Sequence, residues 1–165
     1  MNLHFVDLDG AIEASEGRTI AEIFREDGES GFREIESRIL LRELSSSQGT
    51  IIATGGGAVL RPENRRAMAE ADAVVWMTAP VADLERRLSR TRSQVGSHRP
   101  LLEGDLATRL SSLAEERTPL YAEVSTHQIP SQGASVDVVL GRLVALVNEI
   151  MESQHSGRLA PERGL

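Results

Sequence analysis

The chain has 165 residues, 40% hydrophobic and 26% charged, with a net charge of −7 from 18 basic and 25 acidic residues. That length suffices for one domain with a real core, and the acidic balance excludes nucleic acid as the expected partner, because no basic stripe would draw a phosphate backbone. Cysteine is absent, which removes disulfides and thiolate metal sites.

Read in order, the chain alternates strand-like and helix-like runs. HFVDL at residues 4–8 is a short strand candidate running into Asp9 and Gly10. Residues 19–27 read as a helix with Ile20, Ile23 and Phe24 on one face. Residues 29–44 read as a stronger one, since Phe32, Ile35, Ile39, Leu40 and Leu44 recur near the 3.6 period. Residues 50–54 are a buried strand that meets three consecutive glycines, Gly55, Gly56 and Gly57. Pro62 opens a helix to about residue 71, in a favoured first-turn position. Residues 73–77 are a third strand, and Pro80 opens a helix to about residue 90. TRSQVGSHRPLLEG, residues 91–104, breaks periodicity and reads as a mobile loop. Residues 106–124 are helical, with a break or kink expected at Pro119. Residues 127–131 are a weak fourth strand, 136–151 an amphipathic helix, and 153–165 a loose tail. Strand–helix alternation predicts an α/β fold with a parallel sheet flanked by helices. Its ligands would sit beyond the carboxyl ends of the strands. No run approaches the roughly 20 apolar residues of a membrane span. The opening MNLHFVDLDG lacks the basic and apolar regions of a signal peptide, so a cytoplasmic protein without a membrane partner is expected.

Several features at those strand ends could carry chemistry. Asp7 and Asp9 form a D-x-D pair that can hold magnesium or accept protons from hydroxyls; two solvated acids in a turn is the plainer alternative. FVDLDGAI also resembles the opening motif of haloacid-dehalogenase-type phosphatases, which would make Asp7 a nucleophile, but the lysine and the later acid pair of that family have no counterpart. Arg33 and Glu36 share a helix face, and a neighbouring carboxylate can aim a guanidinium fork at an anion; a surface ion pair is the alternative. Gly55, Gly56 and Gly57 would let a ligand lie against the backbone, or would simply make a tight turn. They are not a G-x-x-x-x-G-K-[ST] phosphate loop, because no lysine follows; every basic residue in the chain is arginine. Arg90, Arg92 and Arg99 lie in or beside the 91–104 loop, from which arginine can swing onto a transferring phosphoryl group. Arg117 falls in ERTPLY, beside the proline.

In this order and spacing, FVDLD, GRTIAEIFREDGESGFREIE, ATGGGAVLRPENR, the RPLL loop and ERTPLY resemble the shikimate kinases, over residues 5 to about 151. The resemblance implies a P-loop-kinase-like, three-layer α/β/α fold. The activity implied is transfer of the γ-phosphoryl of ATP to the 3-hydroxyl of shikimate, in aromatic amino-acid biosynthesis, with ATP and Mg2+ as cofactors. By the same resemblance Arg33 and Arg117 grip the shikimate carboxylate, and Asp9 orients the hydroxyls and acts in catalysis. Gly55, Gly56 and Gly57 let the ring approach the backbone. Arg99, with Arg92, meets the ATP phosphates, Arg99 also acting in catalysis; Asp7 supports the magnesium shell, and Glu36 orients Arg33. Residues 1–152 would form a single domain with 91–104 as its mobile lid, acting as a monomer on shikimate and ATP.

The chain departs from the family at one end. Shikimate kinases begin with a strand and a G-x-x-x-x-G-K-[ST] loop ahead of the D-x-D segment, and here six residues precede Asp7. The missing strand is central in the family's sheet, so its neighbours would each lose a ladder partner. A truncated record with weak or no kinase activity is the expectation, a non-catalytic shikimate-binding relative the alternative. Leu8 stands where the family has Ser or Thr, and residues 131–135, SQGAS, lack the basic residue often found near the adenine.

Overall fold

The computed structural model describes residues 3–46, 49–95 and 106–158, with side chains of 90–95 and 154–158 left out of account. The chain falls into two compact units, residues 1–71 and 72–165.

In the first unit, β1 (His4–Asp7) pairs in parallel with β2 (Thr50–Ala53), and Asp7 lies opposite Ala53 in the register. The chain then does something the sequence reading missed. A helix, α1 (Leu8–Glu16), begins at once. Asp7 is its N-cap, its carboxylate accepting from the Asp9 N–H at 3.2 Å, the usual repair for an orphan donor at a helix start. Gly17 closes α1 in the left-handed conformation at φ 64°. Leu8 and Ile12, one turn apart, are both fully buried. Next comes α2 (Ile20–Leu44), opened by a reciprocal Thr19–Glu22 capping box. The Thr19 backbone N–H and hydroxyl hold the Glu22 carboxyl below the usual carboxylate range. The two helices expected at 19–27 and 29–44 are this one element, bent at Gly28 (φ 70°, ψ −176°). Phe24 and Phe32 stack across the bend with centroids 4.5 Å apart. After β2 the glycines enter a short 3-10 turn (Ala58–Leu60), and α3 (Pro62–Ala69) follows. Val6, Leu8, Ile12, Ile23, Phe32, Ile39, Leu40, Ala58, Val59 and Met68 form the core of this unit.

In the second unit, β3 (Val75–Thr78) pairs in parallel with β4 (His127–Pro130). The helices are α4 (Val81–Val95), α5 (Leu106–Val124) and α6 (Val136–Arg158). Of the break or kink expected at Pro119, the break is absent: α5 is continuous across it. A proline forgoes only its own bond to the carbonyl four residues back, and here the helix continues on both sides. Likewise α4 continues five residues past its expected end, and α6 extends to Arg158 rather than stopping near 151. Arg87 on α4 ties the end of β4, donating to the Ser131 carbonyl at 2.6 Å.

The class is therefore α/β with parallel pairing, but the single sheet of the sequence reading is two two-stranded ladders among the described residues. Neither gains a third strand among the described residues.

Candidate active site

Parallel pairing of β1 with β2 brings both carboxyl ends to one edge, so the D-x-D segment and the glycines become neighbours. The second half of α2, redirected at Gly28, supplies Arg33 and Glu36. The Glu36 side chain is 1% exposed and that of Arg33 11%, and Arg33 Nη1 donates to Glu36 Oε2 at 2.7 Å. A buried carboxylate requires such a partner. The same guanidinium reaches the half-exposed Glu29 through Nη2, at 3.4 Å, and stands over the Phe32 ring, 5.1 Å from its centroid.

The glycines complete the site from below. None of the three has a positive φ, so conformational freedom is not what they provide. What they provide is space. A Cβ on Gly57 would collide with the Arg33 guanidinium, meeting Cζ and both Nη atoms well inside van der Waals contact. A Cβ on Gly55 would stand 3.6 Å from Glu36 Oε1 and 4.0 Å from Asp9 Oδ1. One backbone turn is thus common ground for an arginine and two carboxylates. Gly56 between them is exposed. The sequence reading left the Gly57 space for a ligand; the structure fills it with Arg33.

One donor in this cluster has no acceptor. Arg33 Nε is buried and without a hydrogen bond. With Nη1 engaged by Glu36, the Nε–Nη2 edge holds that orphan and the long bond to Glu29. It is the side-on edge that receives a carboxylate bidentately. In the second unit, Arg117 on α5 also has a buried Nε without a hydrogen bond.

Asp7 is exposed and caps α1. Arg92 lies within α4, its side chain not described, and Arg99 lies outside the described residues. Among the described residues no group of three or more His, Asp or Glu could hold a metal ion. A groove of about 680 Å³ along β1 and α1, lined by His4, Phe5, Asp7, Arg42 and Glu43 among others, is a separate feature. None of Asp9, Arg33, Glu36 or the three glycines lines it. The sequence reading missed Glu29, whose i−4 spacing to Arg33 was the available signal, and Asn64, whose burial had none.

Fold and site together define a class: an α/β protein of the P-loop kinase kind, with a buried arginine whose Nε has no hydrogen bond. The shikimate kinase family model matches residues 1–152. The shikimate kinase of Nostoc punctiforme is 37% identical over 92% of this chain and 81% of its own length. That of Symbiobacterium thermophilum is 40% identical over 88% and 82%. Among solved structures, shikimate kinase from Acinetobacter baumannii in complex with shikimate superposes with a TM-score of 0.74 at 35% identity, covering 89% of this chain and 80% of that one. The chain belongs to the shikimate kinase family, which are ATP-dependent phosphotransferases.

Proposed function

We propose that the first unit's cluster is the shikimate site, and that Arg33 receives the shikimate carboxylate on its Nε–Nη2 edge. The observation that carries this is the orphaned, buried Arg33 Nε beside a guanidinium already fixed by Glu36. A buried donor left unmade costs about 1–3 kcal/mol, and an incoming carboxylate would remove that cost with a charge-assisted bond. In the second unit Arg117 Nε is also buried and without a hydrogen bond, and we assign this guanidinium to carboxylate recognition as well. Asp9 accepts hydrogen bonds from the ring hydroxyls. In the reaction the 3-hydroxyl oxygen bonds to the γ-phosphorus of ATP, the bond to the ADP oxygen breaks, and the hydroxyl proton passes to Asp9. Gly55 and Gly56 admit the ring to the backbone, and Gly57 serves through Arg33.

The nucleotide half is weaker in this chain. Arg99, with Arg92, is assigned to the ATP phosphates, but the chain holds no lysine and no G-x-x-x-x-G-K-[ST] loop. The described residues form no cage for magnesium. A single carboxylate suits an ion brought in by nucleotide phosphates, and Asp7 is the one we assign to it. We read residues 1–152 as the catalytic region and 153–165 as outside it; the lid expected at 91–104 lies, from residue 96 on, outside the described residues. The protein works as a cytoplasmic monomer on small molecules.

Titration calorimetry with shikimate tests the site. The folded chain takes up shikimate, and Arg33→Lys weakens uptake more than tenfold. Lysine keeps a positive charge beside Glu36, so the fold survives, but it loses the planar fork. Arg117→Ala weakens uptake independently. A folded chain that ignores shikimate, or an Arg33→Lys variant that binds it unchanged, refutes the assignment.

A further inference from the structure

We infer that Asn64, assisted by Arg65, is a positioning residue of the shikimate site, acting through the glycine turn; this rests on the reading that Arg33 and that turn receive shikimate. The 3-10 turn (Ala58–Leu60) following the glycines is held from two sides. Within the chain, the Ala58 N–H donates to the Gly55 carbonyl at 3.2 Å and the Leu60 N–H to that of Gly57 at 3.0 Å. From α3, Asn64 Nδ2 donates to the Ala58 carbonyl at 2.8 Å. Arg65 Nη1 donates to the carbonyls of Val59 at 2.9 Å and Leu60 at 3.2 Å. Five carbonyls between Gly55 and Leu60 are thereby tied, three of them by two adjacent side chains of one helix.

The tolerance of the site explains why such tying matters. Gly57 meets the Arg33 guanidinium so closely that not even a methyl group fits between them. A slip of the turn by half an ångström either presses on the guanidinium or releases it, and a binding group has to be held to about that margin. The turn has no side chains of its own at 55–57 to wedge it in place, so its register is set from α3.

Asn64 is also a poor choice if stability alone were served. It is fully buried, and its Oδ1 has no hydrogen bond. A leucine of similar volume would bury no orphan acceptor there. What the amide adds is direction: a single donor aimed at the Ala58 carbonyl.

The test compares shikimate affinity with thermal stability in the full 165-residue chain. Asn64→Leu and Arg65→Ala are each expected to raise the shikimate Kd at least fivefold. Met68→Ala, a core truncation on the same helix, is expected to lower the melting temperature by at least as much while holding Kd within twofold. If Kd tracks the melting temperature across all three, or Asn64→Leu and Arg65→Ala bind like the parent, the positioning role is wrong. If Asn64→Leu does not fold, the Arg65→Ala arm decides alone. Failure of the parent to bind shikimate would instead overturn the site assignment itself, and this inference with it.

Discussion

At Gly57 the chain omits a methyl group that Arg33 could not tolerate in its present place, and this absence links the glycine turn to the guanidinium. Arg33 cannot simply move away, because Glu36 is buried and needs it. Removing one partner from such a pair costs about 3–5 kcal/mol. Gly57→Ala therefore pits a new methyl against an existing ion pair. The obstructed atoms are the far end of a long side chain, so the guanidinium pivots and the fold persists, at about 1–3 kcal/mol as for other overpacked sites. Shikimate affinity falls more than tenfold, because the Nε–Nη2 edge no longer faces the ligand. Calorimetry beside a urea melt checks both parts; an alanine variant with parental affinity would show that Arg33 is not held by this contact. Most of this was legible in the sequence only as residue types. Arg33 and Glu36 at i, i+3 were visible as a pair, but their burial was not, since periodicity assigns charged residues to the outer face. That Gly57 answers to Arg33 rather than to a ligand depends on a contact between residues 24 positions apart.

The element that delivers Arg33 is α2, and its bend decides where the arginine points. Gly28 sits at φ 70° and ψ −176°, a region open in practice only to glycine. A Cβ there would meet nothing within 4 Å, so any penalty for a side chain comes from the backbone and not from crowding. Gly28→Ala should lower stability by about 1–3 kcal/mol and, by straightening or shifting the bend, weaken shikimate binding as well. Chemical denaturation and calorimetry measure the two effects; an unchanged denaturation midpoint would mean that the bend is not under this constraint. Long periodic segments and prolines at helix starts were readable, which is why α3, α5 and the two arms of α2 lie close to expectation; β2 has the expected place but is not the buried strand expected, since none of its residues is buried and Ile51 is exposed. Where local cues competed, reading failed. The D-x-D-G run looked like a turn, yet Asp7 is a cap and α1 follows directly, its Leu8 and Ile12 drawn into the core. Pro119 looked like a break or kink, yet α5 is continuous across it.

Over the whole molecule, the distinction that matters is between binding the acceptor and stabilising the transferred phosphoryl group. The first unit brings together Asp9, Arg33, Glu36 and the glycine turn, the cluster proposed above for the acceptor. The chain spans about four fifths of the length of the relatives it matches. It contains no lysine and no phosphate loop. Each parallel ladder stops at two strands among the described residues. Large apolar side chains are left exposed, Phe5 and Ile51 opposite one another in the first unit and Val136, Leu140 and Val144 along α6 in the second. In phosphoryl transfer the protein contributes almost solely positioning and electrostatic stabilisation, and loss of a single transition-state donor costs about a hundred- to a thousandfold. A chain that keeps the acceptor cluster and lacks the lysine and the nest of backbone N–H groups should therefore bind shikimate but scarcely phosphorylate it. A coupled ADP-release assay, run beside the Nostoc punctiforme or Acinetobacter baumannii enzyme, is expected to show turnover at least about a hundredfold lower. Shikimate should still raise the melting temperature, since a ligand bound only by the folded state stabilises it. Turnover equal to those enzymes would mean that the arginines of this chain can replace the phosphate loop.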